Sequence, residues 1–231
     1  MIIAGLQKTT LLDYPGKIGM TVFLAGCNFR CDWCYSAELV LPEKIKNQSK
    51  ISEKEFFSFL KSRQGLVDGV VICGGEPTIN KDLPDFIKRI KELNFLVKLD
   101  TNGSNPKMLD QLIKDKLIDY VAMDIKLPKD KYSRVFFDNT KIEDIQKSID
   151  ILKEGKIDYE FRTTVVPEVL KKEDVVEIAQ WISGAKKYYL QNFRAEKTID
   201  PQFEEKKPYS EEYLLEIKKE ISSLFDVCDV R

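Results

Sequence analysis

Within eight residues, Cys27-Asn28-Phe29-Arg30-Cys31-Asp32-Trp33-Cys34, the chain places three of its five cysteines at the spacing C-x3-C-x2-C. Thiolates this close together on one loop suit an iron-sulfur cubane, whose cysteine ligands usually number four. Three thiolates leave one iron unclaimed. With five Cys among 231 residues, chance produces such a triplet about two times in a thousand, so the spacing calls for a chemical explanation. A structural zinc ion takes four ligands, often in two pairs with His among them, and the chain has no His. Cys228 is remote in sequence, and Cys73 follows Val70-Val71-Ile72, where it reads as a small core hydrophobe. An odd cysteine count, no recognisable signal peptide and a length sufficient for a core also disfavour a disulfide framework.

Other polar groups gather at the ends of apolar runs. Gly74-Gly75-Glu76-Pro77 follows one such run; paired glycines let a ligand or another backbone approach closely, although Gly-Gly also makes ordinary turns. Asp100-Thr101-Asn102-Gly103 follows the next, where an Asn-Gly turn explains it as readily as a binding site does. Along Tyr120-Val121-Ala122-Met123-Asp124-Ile125-Lys126 a period of two puts Ala122, Asp124 and Lys126 on one face and Val121, Met123 and Ile125 on the other. Asp124 and Lys126 then line a cavity or form an internal ion pair. Arg162, between Phe161 and Thr163, falls on a strand in the same way.

These groups need a scaffold, and the chain describes one. Six short apolar runs alternate with amphipathic stretches: Met20 to Leu24, Gly69 to Cys73, Val97 to Asp100, Tyr120 to Ile125, Tyr159 to Val166 and Tyr188 to Gln191. This is the pattern of successive βα units. Helix-spaced apolar residues such as Leu83, Phe86, Ile87, Ile90 and Leu93 provide core faces, and Ser52 with Glu55 forms a capping box. The last helix follows Pro208 and Ser210. Parallel strands with outer helices make either a doubly wound sheet or an incomplete eight-stranded barrel. Polar residues collected at one rim favour an α/β fold of the second kind, a partial (β/α)6 TIM-like barrel. A single domain, 1–231, is expected, with a core of about 17–193 and a C-terminal loop and helix at 194–231.

Composition narrows the function. The chain is 43% hydrophobic and 32% charged with a formal net charge of -1, a balance that argues against nucleic-acid binding. No apolar run approaches membrane-spanning length, so neither a membrane partner nor an exported location is expected, and a reducing cytoplasm suits the free thiols.

With these motifs together, the chain resembles the radical S-adenosylmethionine (SAM) superfamily through its cysteine triplet, Trp33 and Gly74-Gly75-Glu76-Pro77. Asp13-Tyr14-Pro15-Gly16, Asp100-Thr101-Asn102-Gly103, Asp124-Ile125-Lys126 and Arg162 with Val165-Val166-Pro167 are similar to the pyruvate formate-lyase activase pattern. Gly5-Leu6-Gln7-Lys8-Thr9, Tyr159-Glu160-Phe161-Arg162-Thr163-Thr164 and Leu190-Gln191-Asn192-Phe193-Arg194 resemble the anaerobic ribonucleoside-triphosphate reductase activating branch.

The resemblance implies that Cys27, Cys31 and Cys34 hold a [4Fe-4S] cluster whose fourth iron is chelated by SAM. Reductive cleavage of SAM then yields a 5′-deoxyadenosyl radical that abstracts a hydrogen from a glycine of a partner enzyme. By the same resemblance, Trp33 and Tyr35 flank adenine, the Gly74-Gly75 backbone receives the methionyl ammonium, and Lys126 meets the methionyl carboxylate. Asp124 holds ribose or Lys126. Glu76 and Asn102 belong to the cofactor-binding set, while Asp100 and Thr101 match a position that binds a monovalent cation in some activases. Asp13 and Arg162 lie near the incoming substrate loop. The implied partners are a glycyl-radical enzyme, in this branch anaerobic ribonucleotide reductase, and a flavodoxin- or ferredoxin-type electron donor. The chain departs from relatives in carrying Tyr35-Ser36 where His-Asn is common, and in lacking a His near the last strand, where Gln191 or Arg194 stands in the neighbourhood and Gln191 joins the cofactor-binding set. The alternatives are a radical SAM enzyme acting on a small molecule or peptide, with a pocket closed by 127–141 and 194–210, and a noncatalytic iron-sulfur or zinc module.

Overall fold

A computed structural model describes residues 1–231. Eight strands form one sheet in sequential order: β1 Ile3–Thr10, β2 Gly19–Leu24, β3 Gly69–Gly74, β4 Leu96–Thr101, β5 Tyr120–Asp124, β6 Asp158–Val165, β7 Lys187–Asn192 and β8 Val227–Val230. The strands β2 to β8 are parallel, and β1 pairs antiparallel with β2. All six expected strands are present, with two more at the edges. β1 carries the polar run Gln7-Lys8-Thr9-Thr10 and β8 has only four residues, so neither shows the buried apolar pattern of the central strands. The two edges do not pair with each other, which leaves the barrel open on one side.

The helices are α1 Ala37–Val40, α2 Pro42–Lys46, α3 Glu53–Lys61, α4 Leu83–Lys91, α5 Pro106–Lys114, α6 Ile142–Lys153, α7 Lys172–Trp181 and α8 Glu211–Ile221. None is long and apolar enough to cross a membrane. The capping box forms as expected: Ser52 Oγ accepts from Glu55 N–H at 3.2 Å, and a Glu55 carboxylate oxygen accepts from Ser52 N–H at 2.8 Å. It opens α3, because two short helices precede it after the cysteine loop.

Strand periodicity sorts the residues into two environments. Val22, Ile72, Leu99, Val121, Phe161 and Leu190 face the helices, where Phe56, Ile87, Leu112, Ile149 and Ile178 complete the core. Each such buried side chain contributes about 1.5 to 3 kcal/mol. The opposite, concave face is polar. At its lower end Tyr14, Val71 and Tyr120 form a small apolar floor. Tyr120 Oη donates to Glu160 at 2.9 Å, and Arg231 Nη1 lies 3.0 Å from the same carboxylate.

Candidate cluster and cofactor site

The cysteine loop leaves the top of β2 and is held from both sides. On one side Arg30 N–H donates to Val135 C=O at 2.9 Å and Phe137 N–H to Asn28 C=O at 3.2 Å, while Phe29 packs against Tyr132 and Phe136. On the other, Ile199 N–H donates to Cys34 C=O at 3.0 Å and Asp200 N–H to Asp32 C=O at 2.9 Å. Phe203 follows on a 3-10 turn, its ring centroid 6.4 Å from that of Trp33. The polar stretch 194–210 is therefore tied to the cysteine loop as a brace.

Burial pushes the Cys27 thiol up to about 12, with Lys126 pulling the other way, and raises those of Cys31 and Cys34 as well. As free thiols they stay protonated, and a metal must displace the protons. No three Cys, Asp or Glu side chains converge as the ligands of one ion would. The three thiols face one cavity, and in a chain with no His their number suits three irons of a cluster rather than the four ligands of a structural zinc ion. A backbone N–H to sulfur contact, Phe29 to Cys27 at 3.4 Å, and the Lys126 ammonium suit thiolate charge.

The Gly74-Gly75 turn abuts this loop. Gly75 N–H donates to Leu24 C=O and Glu76 N–H to Gly26 C=O, both at 2.8 Å. A Cβ on Gly75 would sit 2.0 Å from the Gly26 oxygen, and one on Gly74 2.2 Å from that of Leu24. The glycines are thus required by close backbone approach. Glu76, expected among the cofactor-binding residues, does not bring its side chain to the cavity wall. It is fully buried and accepts from Thr78 N–H, from the Thr78 hydroxyl, from Thr101 Oγ1 at 2.7 Å and from Asn102 N–H at 2.6 Å. Burial raises its pKa, and these bonds oppose the rise. Glu76 fastens the turn after β3 to the turn after β4. Asn102 Nδ2 in turn donates to Asn28 Oδ1 at 3.0 Å, linking that turn to the cysteine loop.

A chain of alternating charges crosses the concave face. Lys98 pairs with Asp100; Asp100 Oδ2 lies 3.1 Å from Arg162 Nη1, Arg162 Nε 2.8 Å from Asp124 Oδ1, and Asp124 Oδ2 2.9 Å from Lys126 Nζ. Strand register explains the span. Ala122 stands between Asp100 and Glu160 in neighbouring strands, and its small side chain lets Arg162 reach across β5. Burial opposes the charge on Asp124, but Arg162 and Lys126 prevail and hold its carboxyl well below the usual range.

All the residues singled out from the sequence except Glu76 line one cavity of about 350 Å3. The three cysteines, Trp33 and Tyr35 form its top, Gly74, Gly75, Asp100, Thr101 and Asn102 one wall, and Asp124, Lys126, Arg162 and Gln191 another. Asp13 enters from the β1–β2 edge, where its carboxylate accepts from Thr21 Oγ1 at 2.6 Å. Cys73, expected in the core, faces this cavity instead, because it lies on the inward alternation of β3 with Val71. Lys98, Thr21 and Asn28 were missed. A lysine between Val97 and Leu99 carries the same alternation signal as Lys126; nothing local marks Thr21 or Asn28.

The model of the radical SAM superfamily matches residues 21–182. The chain belongs to the radical SAM superfamily. Its chemistry rests on a [4Fe-4S] cluster and SAM, and the thiol loop and cavity fit both. A protein of Methanocaldococcus jannaschii provisionally named a glycyl-radical enzyme activating enzyme is 34% identical, covering 100% of this chain and 95% of its own. The 7-carboxy-7-deazaguanine synthase of Bacillus subtilis is 31% identical over 58% of this chain and 52% of its own. Among solved structures, SuiB of Streptococcus suis superposes with a TM-score of 0.66 at 15% identity, covering 90% of this chain and 48% of SuiB. The chain spans about half the length of SuiB, and at that identity the likeness shows the fold alone.

Proposed function

We propose that this radical SAM enzyme activates a glycyl-radical enzyme, anaerobic ribonucleoside-triphosphate reductase by motif, by taking a hydrogen atom from a partner glycine. The observation that carries the reading is the end-to-end likeness to the M. jannaschii protein named for that activity. The open side of the barrel supports it, since a substrate presented on a protein loop needs a lateral entrance. Leu11 and Leu12, 73% and 88% exposed beside Asp13, offer an apolar contact there.

In this reading Cys27, Cys31 and Cys34 bind three irons, Trp33 and Tyr35 flank adenine, and the Gly74-Gly75 backbone receives the methionyl ammonium. Lys126 meets the methionyl carboxylate, and Asp124 orients Lys126 rather than ribose, as their 2.9 Å pairing supports. Thr101 and Asn102 shape the wall, and Gln191 faces the reacting end. When bound, the cluster and SAM supply the electron and the 5′-deoxyadenosyl radical. Asp13, beside the β1 edge, borders the entrance, and Arg162, held across the cavity by Asp100 and Asp124, is the second group that orients the incoming loop so that the glycine reaches near contact. A flavodoxin- or ferredoxin-type protein is the electron donor.

The test is isotopic. A peptide spanning the partner's glycine loop, deuterated only at the glycine α-carbon, should pass deuterium into 5′-deoxyadenosine. Deuterium-free product from that peptide, with deuterium arriving instead from a labelled small metabolite, would replace this reading with the small-molecule one.

Lys126 gives a second check. A charge-assisted contact contributes about 1.5 to 3 kcal/mol, so Lys126→Ala is expected to weaken SAM binding about tenfold to a hundredfold while the chain stays folded. Equilibrium binding to the reconstituted protein measures this, and unchanged affinity would leave Lys126 a partner of Asp124 only.

A further inference from the structure

Lys98 is a lysine in the middle of a parallel strand and only 1% exposed. At that depth an ammonium persists only beside an opposite charge, and its one side-chain partner is Asp100. The other Asp100 oxygen faces Arg162, and both oxygens of Asp124 face Arg162 and Lys126. Three cations thus surround two carboxylates. The Thr101 hydroxyl donates to Glu76 at 2.7 Å and accepts from Gly103 N–H at 3.1 Å. An alkali ion seated at Asp100 and Thr101 would meet fixed positive charge on two sides and would find both Asp100 oxygens already paired, one with Lys98 and one with Arg162, so these residues do not fit a bound monovalent cation.

We propose that Lys98 is a built-in counter-ion: its ammonium occupies the place beside Asp100 that an alkali cation would otherwise take, so that SAM binds without one. Lys98 acts through Asp100 and Arg162 and is a positioning residue. The proposal rests on the reading of this cavity as the SAM site, while the lysine's own position is independent of that reading.

The experiment compares the reconstituted holoenzyme in potassium chloride and in tetramethylammonium chloride at equal ionic strength. Wild-type SAM affinity should agree within about twofold between the two salts, whereas Lys98→Met should bind SAM about tenfold more weakly in tetramethylammonium and recover in potassium. A wild-type requirement for potassium or sodium overturns the proposal. So does a folded Lys98→Met protein indifferent to the salt. Lys98→Met leaves Asp100 less compensated and could fail to fold, so the double variant Lys98→Met, Asp100→Asn removes both charges and is expected to be salt-indifferent; potassium dependence in that variant also overturns the idea. Thermal melting of the cluster-free protein provides a readout without activity. Potassium should raise the melting temperature of Lys98→Met above its value in tetramethylammonium and leave wild type unmoved. Failure of wild type to bind SAM in either salt would count against the cofactor reading alone, because the melting comparison still reports on Lys98.

Discussion

Replacing any one of Cys27, Cys31 and Cys34 by Ser abolishes SAM cleavage and strips the protein of most of its iron. Each thiol lies on one loop facing one cavity, and a cluster held by three protein ligands loses a third of its attachment when one is removed. Cys73→Ser and Cys228→Ser retain the iron. Cys73 projects from β3 rather than from the loop, and Cys228 lies on the edge strand β8. Iron and sulfide analysis after anaerobic reconstitution, with 5′-deoxyadenosine measured by chromatography, decides the matter. A Cys73 or Cys228 variant that loses the cluster while a triplet variant keeps it would contradict the ligand assignment.

Gly75→Ala is expected to be nearly as damaging, although no side chain is lost. Its Cβ would lie 2.0 Å from the Gly26 oxygen and 3.2 Å from Cys27 Cβ. No rotamer relieves a backbone clash, so the turn or the cysteine loop must move, and the two are joined by the Glu76 N–H to Gly26 C=O bond. Overpacking of this kind costs about 1 to 3 kcal/mol or more, and here it falls on the segment that positions Cys27. The variant should melt several degrees lower and take up little iron. Gly5→Ala is the matched control, since its Cβ would meet only Phe23 at an ordinary 3.6 Å. Equal iron uptake by Gly75→Ala and Gly5→Ala would show that the turn does not hold the cysteine loop.

The central strands and the chemistry they carry were legible because burial on both faces writes long apolar runs, and because Asp124, Lys126 and Arg162 interrupt those runs at the alternation that faces inward. β1 and β8 were not, since an edge strand buries little and its composition resembles a loop. Glu76 illustrates a different limit. A glutamate in a Gly-Gly-Glu-Pro turn suggests a ligand, and only the fold shows that its partners, Thr101 and Asn102, arrive from the next strand. The brace from 194–210 escaped for the same reason: its contacts with Cys34 and Asp32 are backbone bonds between distant segments, which no local pattern records.

In the proposed function, radical character passes to a partner's glycine. Hydrogen abstraction needs near contact, so Asp13→Ala and Arg162→Ala should slow this transfer more than they slow uncoupled SAM cleavage. The most direct measurement is electron paramagnetic resonance of the reduced protein incubated anaerobically with SAM and the anaerobic ribonucleotide reductase from the same organism. The predicted result is the doublet of a glycyl radical on the reductase, with 5′-deoxyadenosine formed in similar amount. Formation of 5′-deoxyadenosine with no protein radical, on this reductase or on any other glycyl-radical enzyme of that organism, would contradict the account.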